Sequence, residues 1–150
     1  PKDFCLVRDM VQILRRTLGF YDDHEQVFWR DDWAPLDVLL ALRTLVRAEE
    51  VRRFFAESLD EVVEPLVVCM SVALDEYSPD ALTHAAMALY DLTGDVPALL
   101  EELRDFEANV GDAADAIAEF MEIEREEGGE EGVAAWRRAE VAVRALQSRL

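Results

Sequence analysis

Two histidines, two cysteines and 33 acidic residues are the groups in this 150-residue chain with the means to do chemistry, so their spacing is the first test of a function. His24 sits in the run Asp22-Asp23-His24-Glu25, and His84 follows Asp80 by four residues, one turn along a helix. Neither belongs to the Glu-x-x-His pairs through which helical bundles hold two irons, nor to a zinc-type set of His and Cys ligands. Cys5 and Cys69 stand among apolar neighbours, where a thiol behaves as a small hydrophobic side chain. There is no glycine-rich dinucleotide or phosphate loop and no Gly-x-Ser-x-Gly nucleophile turn. The carboxylates are so numerous that any acid/base pair picked from them is arbitrary; only a buried carboxylate with a displaced pKa would stand out. The expectation is a non-enzyme with no catalytic residue, metal or cofactor, whose function rests on recognition.

Two features suit recognition. Phe20, Tyr21, Phe28, Trp29 and Trp33 crowd into one short stretch among acids, and Trp and Tyr are the side chains that anchor interfaces; the competing reading is that these rings cover one end of the core. The second feature is charge. The formal net charge is −18, and residues 75–131 hold 18 Asp and Glu, Glu119, Glu122 and Glu126 among them, against two Arg. Such a surface repels a polyanion, so direct nucleic-acid binding is not expected, and basic partners are its natural complement. The same acidity also fits adaptation to a salt-rich cytoplasm or a GC-rich genome, acting through solubility. No apolar run reaches the roughly 18 residues that span a bilayer, and the first residues lack a secretory-signal layout. The expectation is a soluble, cytoplasmic protein with no membrane contact.

The elements that must position these groups all read at the helical period. One domain over residues 1–150 is long enough to bury roughly 70% of its unfolded surface. Val7, Met10, Val11, Leu14 and Leu18 predict a helix over 4–18, closed by Gly19. A long connection follows over 20–34, with a short helical turn near Glu25 to Trp29. Asp32 and Pro35 open a helix through Ala48, a short one carries Val51, Phe54 and Phe55, and a valine-rich run from Leu59 to Leu74 keeps the helical spacing. Residues 78–94 form the centre. Ser78 can cap, Pro79 suits the first helical position, Gly94 can take a left-handed exit, and Ala85, Ala86 and Ala88 let neighbours approach from more than one side. Beyond it, Asp95 is expected to cap a helix to Phe106, another runs from about Asp112 to Glu127, and the last from about Glu131 to Leu150 carries Trp136, Ala139, Val143 and Leu146 on one stripe, with Arg137, Arg138, Arg144 and Arg149 around it. The class is all-α with seven to eight helices, either an α-α superhelix or a compact helical bundle.

Comparison of the chain with itself bears on that choice. Val38-Leu39-Leu40-Ala41-Leu42 with Leu45, Ala85-Ala86-Met87-Ala88-Leu89 with Leu92, and Gly132-Val133-Ala134-Ala135-Trp136 with Ala139 recur at an offset of 47 residues, at the upper edge of the armadillo and HEAT range. Over residues 38–92 the sequence resembles the armadillo family: an Ala-Leu-Arg-Thr-Leu-Val-Arg helix end, a short Glu-Glu-Val-Arg-Arg-Phe-Phe helix, Glu64-Pro65-Leu66-Val67 opening a longer one, then Ser-Pro-Asp-Ala-Leu and Ala-Leu-Tyr-Asp-Leu. It departs from that family in lacking the hinge glycine before the second helix and in carrying Asp91 where the groove asparagine is usual. The expected function is an adaptor that binds a protein or peptide in a groove; the resemblance implies that third helices line it, at Arg43, Thr44 and Arg47, Tyr90 and Asp91, and Arg137 and Arg138, while the aromatic cluster adds Trp29 and Trp33 as anchors. Two other readings stand beside it. One is an acidic decoy, with Glu119, Glu122 and Glu126 in a surface that caps a basic nucleic-acid-binding partner; the other is a helical regulator of the viral Bcl-2-like kind.

Overall fold

The computed structural model describes residues 34–57 and 62–150, together with Arg8, Asp9 and Gln12. Apart from those three residues, the expected first helix over 4–18 lies outside the described residues, as do the aromatic connection with Trp29 and Trp33, and Cys5. Among the described residues there are seven α-helices and no strand: α1 (Ala34–Leu45), α2 (Glu49–Glu57), α3 (Val63–Asp75), α4 (Pro79–Leu92), α5 (Pro97–Arg104), α6 (Glu107–Glu126) and α7 (Glu130–Gln147). No helix among them is long and apolar enough to cross a membrane.

Helix α4 begins as its sequence indicates. Ser78 keeps an extended backbone and its Oγ accepts from the Ala81 N–H at 3.3 Å, while Pro79 takes the first helical position. Its buried residues are Ala81, Leu82, Ala85, Ala86, Ala88, Leu89 and Leu92. The four alanines leave room for neighbouring backbones, and α4 packs on α1, α3 and α7. Leu39 and Leu42 of α1, Leu66 and Met70 of α3, Ile117 of α6 and Trp136 and Leu146 of α7 join it in one core.

Specific contacts set the directions of the helices. Arg43 meets His84 and Arg47 meets Asp91, so α1 and α4 run parallel. Tyr77, just ahead of α4, packs on Trp136 in the first half of α7, and Arg149, just past α7, reaches Tyr90 near the end of α4, so α4 and α7 are parallel too. The end of α6 lies at the start of α7, where Glu124 sits beside Gly129 and Gly132; these two are antiparallel. The C-terminal ends of α1, α4 and α7 consequently gather at one end of the molecule.

The two turns that lead into α4 and α7 are built alike. In one, Tyr77 N–H donates to Leu74 O and Ser78 N–H to Ala73 O; in the other, Gly128 N–H donates to Arg125 O and Gly129 N–H to Glu124 O. Both are left-handed helix exits with paired closing hydrogen bonds. Gly128 adopts φ +74 at no steric cost, whereas Tyr77 holds φ +54 despite its side chain. Its ring stacks edge-on against Phe120 and Trp136, at 4.9 and 5.1 Å between centroids, and its hydroxyl donates to Glu124 Oε1 at 2.8 Å. These contacts offset the backbone strain.

Local expectations fail in three places. Gly94 does not take a left-handed conformation; α4 closes through Thr93, whose Oγ1 donates to Leu89 O at 2.7 Å. Asp95 does not cap α5, whose N-cap is Val96 without a side-chain bond, because Arg52 claims its carboxylate. Helix α6 starts at Glu107, ahead of Asp112, since burying Val110 outweighs the roughly 1 kcal/mol that Gly111 costs inside a helix.

Candidate partner-binding site

Where the three helix ends gather, Arg47, Arg52, Tyr90, Asp91, Gly94, Asp95 and Arg149 line an open pocket of about 280 Å³. The last carbonyls of a helix have no partner within it and carry the negative end of its dipole, so a guanidinium is well placed there. Arg52 shows this most fully. Its Nη1 donates to Val46 O at 2.8 Å and Arg47 O at 2.6 Å, closing α1, while Nε and Nη2 grip Asp95 at 2.6 and 2.8 Å. That bidentate pair holds the Asp95 carboxyl below the ordinary carboxylate range.

Arg149 does the same for α4. Its Nη1 donates to Tyr90 O and, at 3.3 Å, to Thr93 Oγ1, and its guanidinium lies 3.5 Å from the centre of the Tyr90 ring. Arg47 is the least committed of the three, 61% exposed with Nε 3.7 Å from Asp91. Three guanidinium groups thus face two carboxylates and three negative helix ends. The charges nearly balance, and the pocket offers directional donors, acceptors and an aromatic surface rather than a strong field of one sign.

Further along the α1–α4 contact, Arg43 Nη1 donates to His84 Nδ1 at 2.8 Å. Arginine cannot accept, so the neutral imidazole carries its proton on Nε2. Burial, and then the Arg43 charge, push the His84 pKa down, against a smaller pull upward from Asp80. Arg43 Nε is buried with no hydrogen-bond partner among the described residues. Thr44 is exposed and bonded back to Leu40 O at 3.0 Å.

The register-based groove residues therefore divide. Arg47, Tyr90 and Asp91 meet in one pocket, and Arg43 lies beside it on the same helix pair. Arg137 and Arg138 are elsewhere, exposed on α7, with Arg137 lining a separate cavity. The α7 contribution to the pocket is Arg149, a residue the 47-residue offset does not reach; its only sequence signal is a cation just past the last helical turn. Arg52 carries no groove signal at all, since its partners are set by the fold. Glu119, Glu122 and Glu126 are exposed on α6, in line with exposed Asp112 and Asp115, and Glu122 pairs with Arg125 at 3.2 Å.

The described residues contain no group of three or more His, Cys, Asp and Glu placed to hold a metal ion. Cys69 is free and fully buried, and desolvation pushes its thiol pKa up, which disfavours the reactive thiolate. Compared with known proteins, the chain matches no family model, no curated protein and no solved structure.

Proposed function

We propose that the chain is a non-enzymatic helical adaptor of the cytoplasm that holds a protein or peptide segment along the face formed by α1, α4 and α7, with Arg47, Tyr90 and Asp91 as contact residues. The observation that carries this reading is the meeting of those residues, with Arg149, around one open pocket at the converging helix ends. The helix order supports the armadillo-like form of the proposal. A short and two long helices occur twice after α1, and α4 packs on both α1 and α7, its counterparts in that order. The expected partner is a polypeptide and not a nucleic acid, because the net charge of −18 repels a polyanion. The test is a partner captured on the immobilised chain, purified and titrated against variants. Arg47→Ala and Trp33→Ala should weaken binding roughly tenfold or more, and moderate salt should leave it largely intact, as for desolvated anchors.

A second reading has its own support. Asp112, Asp115, Glu119, Glu122 and Glu126 recur every three or four residues and are all exposed, a continuous acidic stripe on the outer face of α6 suited to capping a basic nucleic-acid-binding protein. In that case, neutralising Glu119, Glu122 and Glu126 abolishes binding, salt weakens it steeply, and Trp33→Ala and Arg47→Ala leave it unchanged. That result would replace the adaptor reading.

A further inference from the structure

The outer face of α7 is unlike the rest of the described surface. Ala134, Arg137, Arg138, Val141 and Arg144 lie within an eleven-residue span at helical spacing, about 15 Å long, and all are exposed. Val141 is 66% exposed, the most of any large hydrophobic residue described. Arg137 and Arg138 have no ion pair among the described residues, and Arg144 reaches Glu140 only at 3.8 Å. At the start of the helix the face opens into a cavity of about 460 Å³, where Arg125, Glu130 and Arg137 flank Val133, Ala134 and the Gly128-Gly129 turn; Arg125 is paired with Glu122, which leaves Arg137 as the uncommitted cation there. An acidic protein has here placed three cations around an uncovered valine, with an apolar recess next to them.

We propose that this face of α7 docks an acidic peptide segment of a partner protein, one that carries bulky apolar side chains among its carboxylates. The arginines take the carboxylates, and the apolar side chains cover Val141 and fill the recess beside Val133 and Ala134. Charge complementarity selects the partner. Arg137 and Arg138 act at contact distance, whereas charges farther than about 10 Å are largely screened at 0.1 M salt. A polynucleotide satisfies the arginines but leaves Val141 and the recess uncovered, and its long charged chain meets the net repulsion of the protein. This surface is separate from the pocket at the helix ends, and the proposal stands independently of the groove reading.

The experiment uses the full chain and a fluorescein-labelled 14-residue probe with leucine at every third or fourth position and glutamate elsewhere, titrated by fluorescence anisotropy in 0.1 M salt. Saturable binding is expected, weakened about tenfold or more by Arg137→Glu with Arg138→Glu and severalfold by Val141→Ser. Arg47→Ala should leave it unchanged, which separates this surface from the groove. All three altered positions are solvent-facing, so unchanged helical circular dichroism and an unchanged unfolding midpoint confirm that the fold is not the cause. Four results overturn the proposal: no saturable binding, equal binding of a probe with lysine for glutamate, tighter binding of a single-stranded oligonucleotide, or a dimer in sedimentation that Arg137→Glu dissociates. The last would mean that a second copy covers the face.

Discussion

Replacing Arg52 with methionine keeps its stem and removes only the guanidinium, which separates its two jobs. The bonds to Val46 O and Arg47 O close α1, and the first is partly buried; the bonds to Asp95 are at the surface. A hydrogen bond from a charged donor contributes about 1.5–3 kcal/mol. Because the Arg47 carbonyl can be rehydrated, the lower end applies, and Arg52→Met should cost about 2–3 kcal/mol. For a domain whose whole stability is about 5–15 kcal/mol this is a large loss. In urea, with a slope of about 1–3 kcal/mol per molar, the midpoint should fall by roughly 1–2 M. Asp95→Ala, which removes only the exposed partner, should cost much less, and its effect should shrink in 1 M salt while that of Arg52→Met persists, since carbonyl acceptors are not screened ion pairs. Equal costs for the two variants, or a cost of Arg52→Met that vanishes in salt, would refute the reasoning: Arg52 would then act as a surface ion pair alone.

Three further outcomes are expected. Of the 18 acids in residues 75–131, all but Glu76, Asp91 and Glu124 are exposed, so raising salt from low to molar concentration should lift the melting temperature by a few degrees; a fall or no change in circular dichroism melts would show that they are already neutralised. The lowered His84 pKa means that the unfolded chain takes up a proton first as pH falls through about 6.5. The His84 contribution is therefore present above that pH and lost below it. Urea midpoints at pH 7.5 and 5.5 should diverge in the wild type and converge in His84→Asn, which keeps an acceptor for Arg43. Burial, and then the hydrogen bond to Glu124, push the Tyr77 phenol up to about 12. A Cβ at position 132 would collide with the Glu124 carboxylate, so Gly132→Ala should displace it and bring the tyrosine titration, followed by ultraviolet absorbance, back toward its ordinary range of about 10. A phenol still titrating near its wild-type pH in that variant would show that burial alone sets it.

Much of the helix layout was legible because its causes are local. Ser78, Pro79 and the alanine-rich run of α4 act within a few residues of themselves, and the structure places that helix against α1, α3 and α7 as those small residues require. The register that equates Val38–Leu42 with Ala85–Leu89 pairs Arg47 with Gly94, and both line the pocket beside Tyr90 and Asp91, since an offset carries equivalent positions of parallel helices to the same end; Arg43 and Thr44, its counterparts of Tyr90 and Asp91, lie outside the pocket. It failed for Arg137 and Arg138. Equal spacing along the chain does not fix how far one helix slides or rotates against the next, and the side chain that meets Tyr90 is Arg149. Asp95 shows the same limit at a single residue. Its sequence neighbourhood is that of a helix cap, but Arg52, 43 positions earlier, offers two hydrogen bonds from a cation where a cap offers one from a neutral backbone N–H. The sequence by itself determined the helical class, the acidic surface and the central helix, because periodicity, composition and capping are properties of neighbours along the chain. Only the tertiary structure decided that three helix C-termini converge on arginines from distant segments, because which carboxylate or carbonyl an arginine meets depends on contacts that no local pattern encodes.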